Sequence, residues 1–138
     1  DNTFRAFTYS VGGVIKTSDA ITSAGLSQKI DNTIKLVGLD KMPNDQKASD
    51  RRWRNRREAW DIASRAKGRL TRDQSNNDLK EQIVETAQAK GYWSVWYTVF
   101  SGNADIRRRL IEAFPGTCAD CFDPLNDYTP LPRPGGQC

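Results

Sequence analysis

The chain has 138 residues, of which 37% are hydrophobic, and it carries a formal net charge of +4. A chain of this length usually folds as one domain and buries roughly 68% of its unfolded surface, so its core needs no disulfide or metal. Histidine is absent, which excludes mechanisms that depend on this commonest general base and metal ligand. Residues 92–100 form the longest apolar-leaning stretch. They are too few to span a bilayer, which takes about 20 residues, so we predict no membrane partner.

The first predicted element is a β-hairpin. Residues 3–10 alternate as a strand does, with aromatic and β-branched side chains. Gly12 and Gly13 predict a two-residue turn, and residues 14–17 would return as the second strand. Because a lone hairpin is marginal in water, we expect it to pack on helices or to extend the sheet of another chain.

A helix is predicted next, because four apolar residues recur at the spacing of one helical face. These residues are Leu26, Ile30, Ile34 and Val37. Ser27 is placed to cap the start of this helix. Gly38 occupies the position after its end, where glycine is favoured, and Leu39 can close that end through an apolar contact.

The following segment is strongly basic and is predicted as a helix over residues 45–67, stopped by Gly68. Residues 47–72 contain ten Lys/Arg and three Asp/Glu, a net charge of +7, which leaves −3 for the rest of the chain. Trp53, Trp60, Ala63 and Leu70 fall on one arc of this helix. Most of its arginines fall on the opposite arc, but Arg52, Arg56 and Lys67 lie within the apolar one, where burial of a cation is costly.

Three further helices are predicted. The first begins with the capping-box pattern of residues 75–78 and ends at Gly91. For residues 92–100 the residue preferences favour a strand, whereas the spacing of the aromatic side chains favours a helix, and we predict a helix. Asn103 would cap the last helix, which directs apolar side chains inward, places residues 107–109 mostly outward and ends at Pro115.

From residue 115 onward the composition changes, because five of the six prolines lie in the last 24 residues. This composition is typical of an extended segment that wraps its own domain or lies along a neighbour. We therefore predict a mostly α fold of four or five helices, with a short N-terminal β-hairpin and an extended Pro-rich C-terminal tail. The predicted domain comprises residues 1–114, and the tail comprises residues 115–138.

The most informative local feature is a group of five arginines and a tryptophan within seven residues. Its members are Arg51, Arg52, Trp53, Arg54, Arg56 and Arg57. Guanidinium groups suit phosphates and an indole can stack on a base, so the group is a candidate nucleic-acid site. It could instead contact an acidic protein surface, or form a solvated face balanced by nearby carboxylates. The absence of lysine within the group favours a binding role.

A second basic group consists of Arg107, Arg108 and Arg109. Three consecutive helical residues point in directions spread over some 200°, so they cannot all meet one flat surface. A solvated outer face is the simpler interpretation. Beside the first group, however, they would extend one basic groove for nucleic acid or a protein partner.

Cys118, Cys121 and Cys138 are the chain's three cysteines, and all lie in its last 21 residues. An odd, clustered count does not resemble a secreted disulfide framework, so we expect a reducing intracellular setting or the inside of a viral particle. Without histidine a zinc site would need an aspartate as its fourth ligand. We predict no metal or other cofactor and interpret the cysteines as free or occasionally paired thiols.

These observations predict a non-catalytic binding protein whose basic helix docks on nucleic acid. The alternative is a structural subunit of a larger assembly, for instance a viral particle, in which the hairpin, the arginines and the Pro-rich tail contact neighbouring subunits. Such a subunit would be a homo-oligomer or part of a larger complex. An enzyme such as a metal-dependent nuclease stays open, although no motif supports it.

Overall fold

The computed structural model describes residues 3–39 and 51–131. In this part of the chain the protein is mostly α-helical with a short N-terminal hairpin, which confirms the predicted fold class. The helices are α1 (Thr3–Ala6), α2 (Ala24–Leu36), α3 (Arg51–Arg72), α4 (Asn77–Lys90), α5 (Trp93–Val99) and α6 (Ala104–Ala113). The strands are β1 (Phe7–Ser10), β2 (Val14–Thr17), β3 (Phe122–Asp123) and β4 (Thr129–Pro130).

The chain divides into two compact units. Of the described residues, 3–39 and 51–58 belong to the first unit and 59–131 to the second. The predicted boundary between a domain at 1–114 and a tail at 115–138 stays a prediction, and residues 132–138 lie outside the described residues.

In the first unit, β1 and β2 pair antiparallel, with Tyr9 opposite Ile15. The strand begins at Phe7 and not at residue 3, because residues 3–6 form α1 and β2 ends at Thr17, opposite Phe7. The loop has three residues, 11–13, where the sequence predicted two. Both of its glycines adopt a positive φ, a conformation that suits glycine far better than other residues.

The hairpin packs on α2 through a small apolar core, built from Ala6, Ile15, Ile30 and Ile34. The predicted end of α2 is confirmed. Gly38 has φ +65°, its N–H donates to the carbonyl of Lys35, and the Leu39 N–H donates to the carbonyl of Ile34. These two bonds form the Schellman arrangement, which satisfies two of the helix's terminal carbonyls. At the other end Ser23, not Ser27, occupies the N-cap position.

The second unit contains the larger core. Its fully buried residues include Leu70, Ile83, Trp96, Phe100, Ile106 and Leu110. Gly68 does not end α3, which continues to Arg72. Glycine within a helix costs only about 1 kcal/mol relative to alanine, and burying Leu70 two residues farther along offsets that cost.

The remaining helices follow the predicted order with one change. The N-cap of α4 is Asn76, whose Oδ1 accepts from the Leu79 N–H at 2.9 Å, and not Ser75. Residues 93–99 are helical, which resolves the choice between strand and helix. At α6 the predicted cap is confirmed, since the Asn103 Oδ1 accepts from the Ile106 N–H at 3.1 Å.

Residues 115–131, the described part of the predicted tail, are more ordered locally than their prolines indicated. A 3-10 turn at Ala119–Cys121 leads into β3, which pairs with β4 through Phe122 opposite Pro130. The Phe122 side chain is buried against Tyr97 and Ile111. This segment therefore wraps its own unit, which was one of the two arrangements expected of it.

Candidate nucleic-acid interface

The five clustered arginines occupy the first two turns of α3, but they are not equivalent. Arg56 is only 5% exposed, whereas Arg51, Arg52, Arg54 and Arg57 are exposed. At about 100° per residue, positions 51, 54 and 57 form a stripe that turns slowly around the helix. Consecutive members of this stripe are separated by a rise of about 4.5 Å.

Arg56 is held inside the first unit by two backbone carbonyls. Its Nη2 donates to the Leu39 carbonyl at 2.9 Å and its Nε to the Gly13 carbonyl at 3.3 Å. Gly13 lies so close that a Cβ there would come within 2.8 Å of the Arg56 backbone oxygen. The face of α3 that carries Arg56 is therefore covered by the hairpin loop and the end of α2. A binding role for Arg56 gains no support from this burial.

Trp53 is half-buried, and the guanidinium of Arg57 lies 5.2 Å from the centre of its ring. This distance is within the range of a cation–π contact. The indole Nε1 is buried and has no hydrogen-bond partner among the described residues. Stacking of Trp53 on a base, which the sequence predicted, would thus require Arg57 to leave the ring.

The charge at this end of α3 is poorly balanced. Residues 51–58 carry five arginines and one glutamate, a net +4, and the first turn of the helix contains no acidic residue. Arg51 and Arg54 have no carboxylate partner among the described residues, and Asp50 lies outside them. Like charges three or four residues apart on a helix repel one another. An anion beside Arg51 and Arg54 would relieve that repulsion.

The structure places Arg107 differently from the prediction, because its side chain is buried and does not point outward. It is 6% exposed, and its guanidinium lies 4.2 Å from the centre of the Tyr97 ring. Its Nη1 donates to the Asp127 carbonyl at 2.9 Å and to the Asp127 Oδ2 at 2.8 Å, and its Nε to the Tyr97 carbonyl at 3.2 Å. The residue fastens the β3–β4 segment to α5 and α6.

Arg108 and Arg109 are paired with carboxylates. Asp105 Oδ1 accepts from Arg108 at 2.9 Å and from Arg109 at 3.1 Å, and Lys80 contacts Oδ2 at 2.9 Å. Partial burial raises the pKa of Asp105, but the hydrogen bonds from these three cations outweigh it and lower the pKa to about 2. Arg108 also binds Glu112 at 2.8 Å. These pairs favour the simpler interpretation of this group, a balanced surface.

Three further cations lie at places that the sequence did not indicate. Lys67 donates to the carbonyls of Val99 at 2.7 Å and Ser101 at 2.8 Å, so it caps the C-terminal end of α5. Arg65 and Arg69 border a groove between α3 and α4. Local sequence carries no signal for either arrangement, because the partners belong to other helices.

Cys118 is exposed and Cys121 is half-buried. Among residues 3–39 and 51–131, no three His, Cys, Asp or Glu side chains converge on a point where a metal ion could bind. None of the helices in these residues combines the length and the apolar character needed to cross a bilayer.

Within the group at positions 51–57, the arginines that stay exposed, at positions 51, 52, 54 and 57, are thus the candidate interface. Those at 56, 107, 108 and 109 already have protein partners. No family model matches the chain, and neither the curated proteins nor the solved structures include one that matches it.

Proposed function

We propose that the protein binds nucleic acid, without catalysing a reaction on it, through the exposed arginines at positions 51, 52, 54 and 57 of α3. One observation carries the proposal. Arg51 and Arg54 are exposed three residues apart on α3, next to further arginines and with no carboxylate partner among the described residues. Like charges at this spacing repel one another, and an anionic partner would relieve that repulsion.

A phosphate backbone fits this arrangement better than an isolated carboxylate does. Arginine binds phosphate oxygens through a rigid fork, which lysine lacks. The stripe of positions 51, 54 and 57 rises by about 4.5 Å per step, and successive phosphates of one DNA strand are separated by about 3.4 Å along the helix axis. Three arginines can therefore meet two or three neighbouring phosphates.

The burial of Arg56 limits the expected salt dependence. With three or four phosphates neutralised, log K should fall with log salt at a slope of about −2.7 to −3.6 on duplex DNA. Raising the salt from 50 to 200 mM would then weaken binding by about 40- to 150-fold. The corresponding slope on a single strand would be smaller, about −2 to −3.

The test is fluorescence anisotropy of the purified chain with duplex DNA, single-stranded DNA and RNA over that salt range. Arg54→Ala should weaken binding by about eight-fold near 0.1 M salt and reduce the magnitude of the slope by about 0.9. Arg72→Ala, which removes the same exposed side chain from the other end of the same helix, is the matched control. A flat salt dependence, or equal losses in the two variants, would refute the proposal.

A second candidate function is that of a subunit in a larger assembly. The hairpin of β1 and β2 has outer edges with which no other strand in the described part of the chain pairs. Val11 at its tip is 84% exposed. Open edges can accept a strand from another chain. Light scattering over a range of protein concentrations would test this, and a constant monomeric mass would argue against it.

A further inference from the structure

The second unit contains a groove that is separate from the exposed arginines at positions 51–57. It encloses about 250 Å³ between α3 and α4. Its floor is apolar and is formed by Ile62 and Ala66 of α3 together with Leu79 and Ile83 of α4. The buried ring of Trp96 lies beneath them. The floor is therefore suited to a compact apolar group.

The rim of the groove is cationic. Arg65 and Arg69 lie one helical turn apart on α3, and both are exposed. Neither has a carboxylate partner among the described residues, whereas Arg108 and Arg109 share Asp105. Like charges four residues apart on a helix repel one another. An anion held between the two guanidinium groups would remove that repulsion.

The opposite wall is polar and neutral. It is formed by Gln82 and Thr86 of α4, and the Thr86 hydroxyl donates to the Gln82 carbonyl at 2.6 Å. Gln82 lines the same groove, and its side-chain amide can both donate and accept a hydrogen bond. The groove thus combines an apolar floor, two cations on one side and an amide on the other.

We propose that this groove binds a small organic anion whose compact apolar body lies on the floor while its carboxylate or phosphate group meets Arg65 and Arg69. Its volume equals about eight water molecules at roughly 30 Å³ each, which fits a ligand of eight to ten non-hydrogen atoms. A ligand of this size reaches a Kd on the order of a millimolar in an open groove. The proposal is independent of nucleic-acid binding.

Binding is tested by ¹H–¹⁵N NMR titration of the full chain with matched probes. Phenylacetate supplies both the anion and the apolar ring, phenylacetamide lacks the charge, and acetate lacks the ring. Phenylacetate should saturate and shift the amide signals of residues 79–86, and the other two should bind at least ten-fold more weakly. Phenyl phosphate, compared with phenylacetate, determines which anionic group is preferred.

Two variants test the role of the rim. Arg69→Gln should weaken phenylacetate binding at least ten-fold, because it removes the charge from an exposed side chain and leaves the core intact. Arg72→Gln, on the same helix but outside the groove, should leave the Kd unchanged. The proposal is overturned if phenylacetate does not saturate by about 20 mM, if phenylacetamide binds equally well, or if the two variants behave alike.

Discussion

Replacing Arg56 with alanine is expected to destabilise the protein strongly and to affect nucleic acid only through that loss of stability. The 2.9 Å bond to the Leu39 carbonyl should contribute about 2 kcal/mol, and the 3.3 Å bond to the Gly13 carbonyl about 1 kcal/mol. The substitution also removes two buried methylene groups, at about 0.8 kcal/mol each. The sum is a loss of about 4.6 kcal/mol from the free energy of unfolding.

Urea unfolding followed by circular dichroism measures this loss. With an m-value of about 2 kcal/mol per molar urea, the midpoint should fall by about 2 M. Arg54→Ala is the matched control, because Arg54 is exposed on the same helix. It should change stability by no more than about 0.5 kcal/mol. Hydrogen exchange in residues 7–17 should become faster in Arg56→Ala, because the Gly13 carbonyl loses a donor.

A loss below about 1 kcal/mol for Arg56→Ala would refute this reasoning, since neither carbonyl could then depend on the guanidinium. The same result would mean that the Arg56 side chain is free to contact nucleic acid. Arg56→Lys separates charge from geometry. It keeps the cation but cannot reproduce the fork that spans two carbonyls, so we expect it to recover only part of the stability.

Three further predictions concern other sites. Gly13→Ala should cost at least 2 kcal/mol more than Gly12→Ala by urea unfolding, because both glycines have positive φ but only at Gly13 would a Cβ meet the Arg56 backbone, at 2.8 Å. Arg107→Ala should cost about 3–5 kcal/mol, since it leaves the partly buried carboxylate of Asp127 without its cation; a loss under 1 kcal/mol would contradict the anchoring role. Burial raises the pKa of Tyr97 from 10.0 to about 12, so stability is full below pH 10 and should fall by up to about 2 kcal/mol between pH 10 and 12. Tyr97→Phe should remove that alkaline loss, and an unchanged pH profile would contradict the assignment.

The parts of the fold that could be predicted from the sequence are those decided locally. The glycines at positions 38 and 91 end α2 and α4 as expected, because a positive φ is required within one turn of the helix end. The same local rule predicted wrongly that Gly68 ends α3. The burial of Leu70 in the core of the second unit, which involves distant residues, outweighs the tendency of glycine to end a helix.

The candidate interface was predictable only as a group of residues. Composition and spacing indicated that the arginines at positions 51–57 lie on one helix and that Arg56 falls on its apolar arc, where burying a cation is costly. The carbonyls that bind Arg56 could not be predicted, because one of them lies 43 residues away. The same limit applies to Arg107, whose partner Asp127 is 20 residues farther along the chain.

The loop that joins β3 to β4 has a consequence for the order of folding. Asp127 and Tyr128 have φ values of +50° and +52°, a conformation that costs about 1–2 kcal/mol per residue outside glycine. The contacts that offset this cost come from Arg107 of α6 and from Tyr97 of α5, whose hydroxyl donates to the Tyr128 carbonyl. The loop can make these contacts only when those helices are packed. We therefore expect a substitution that weakens these contacts to speed unfolding of the second unit and to change its folding rate little.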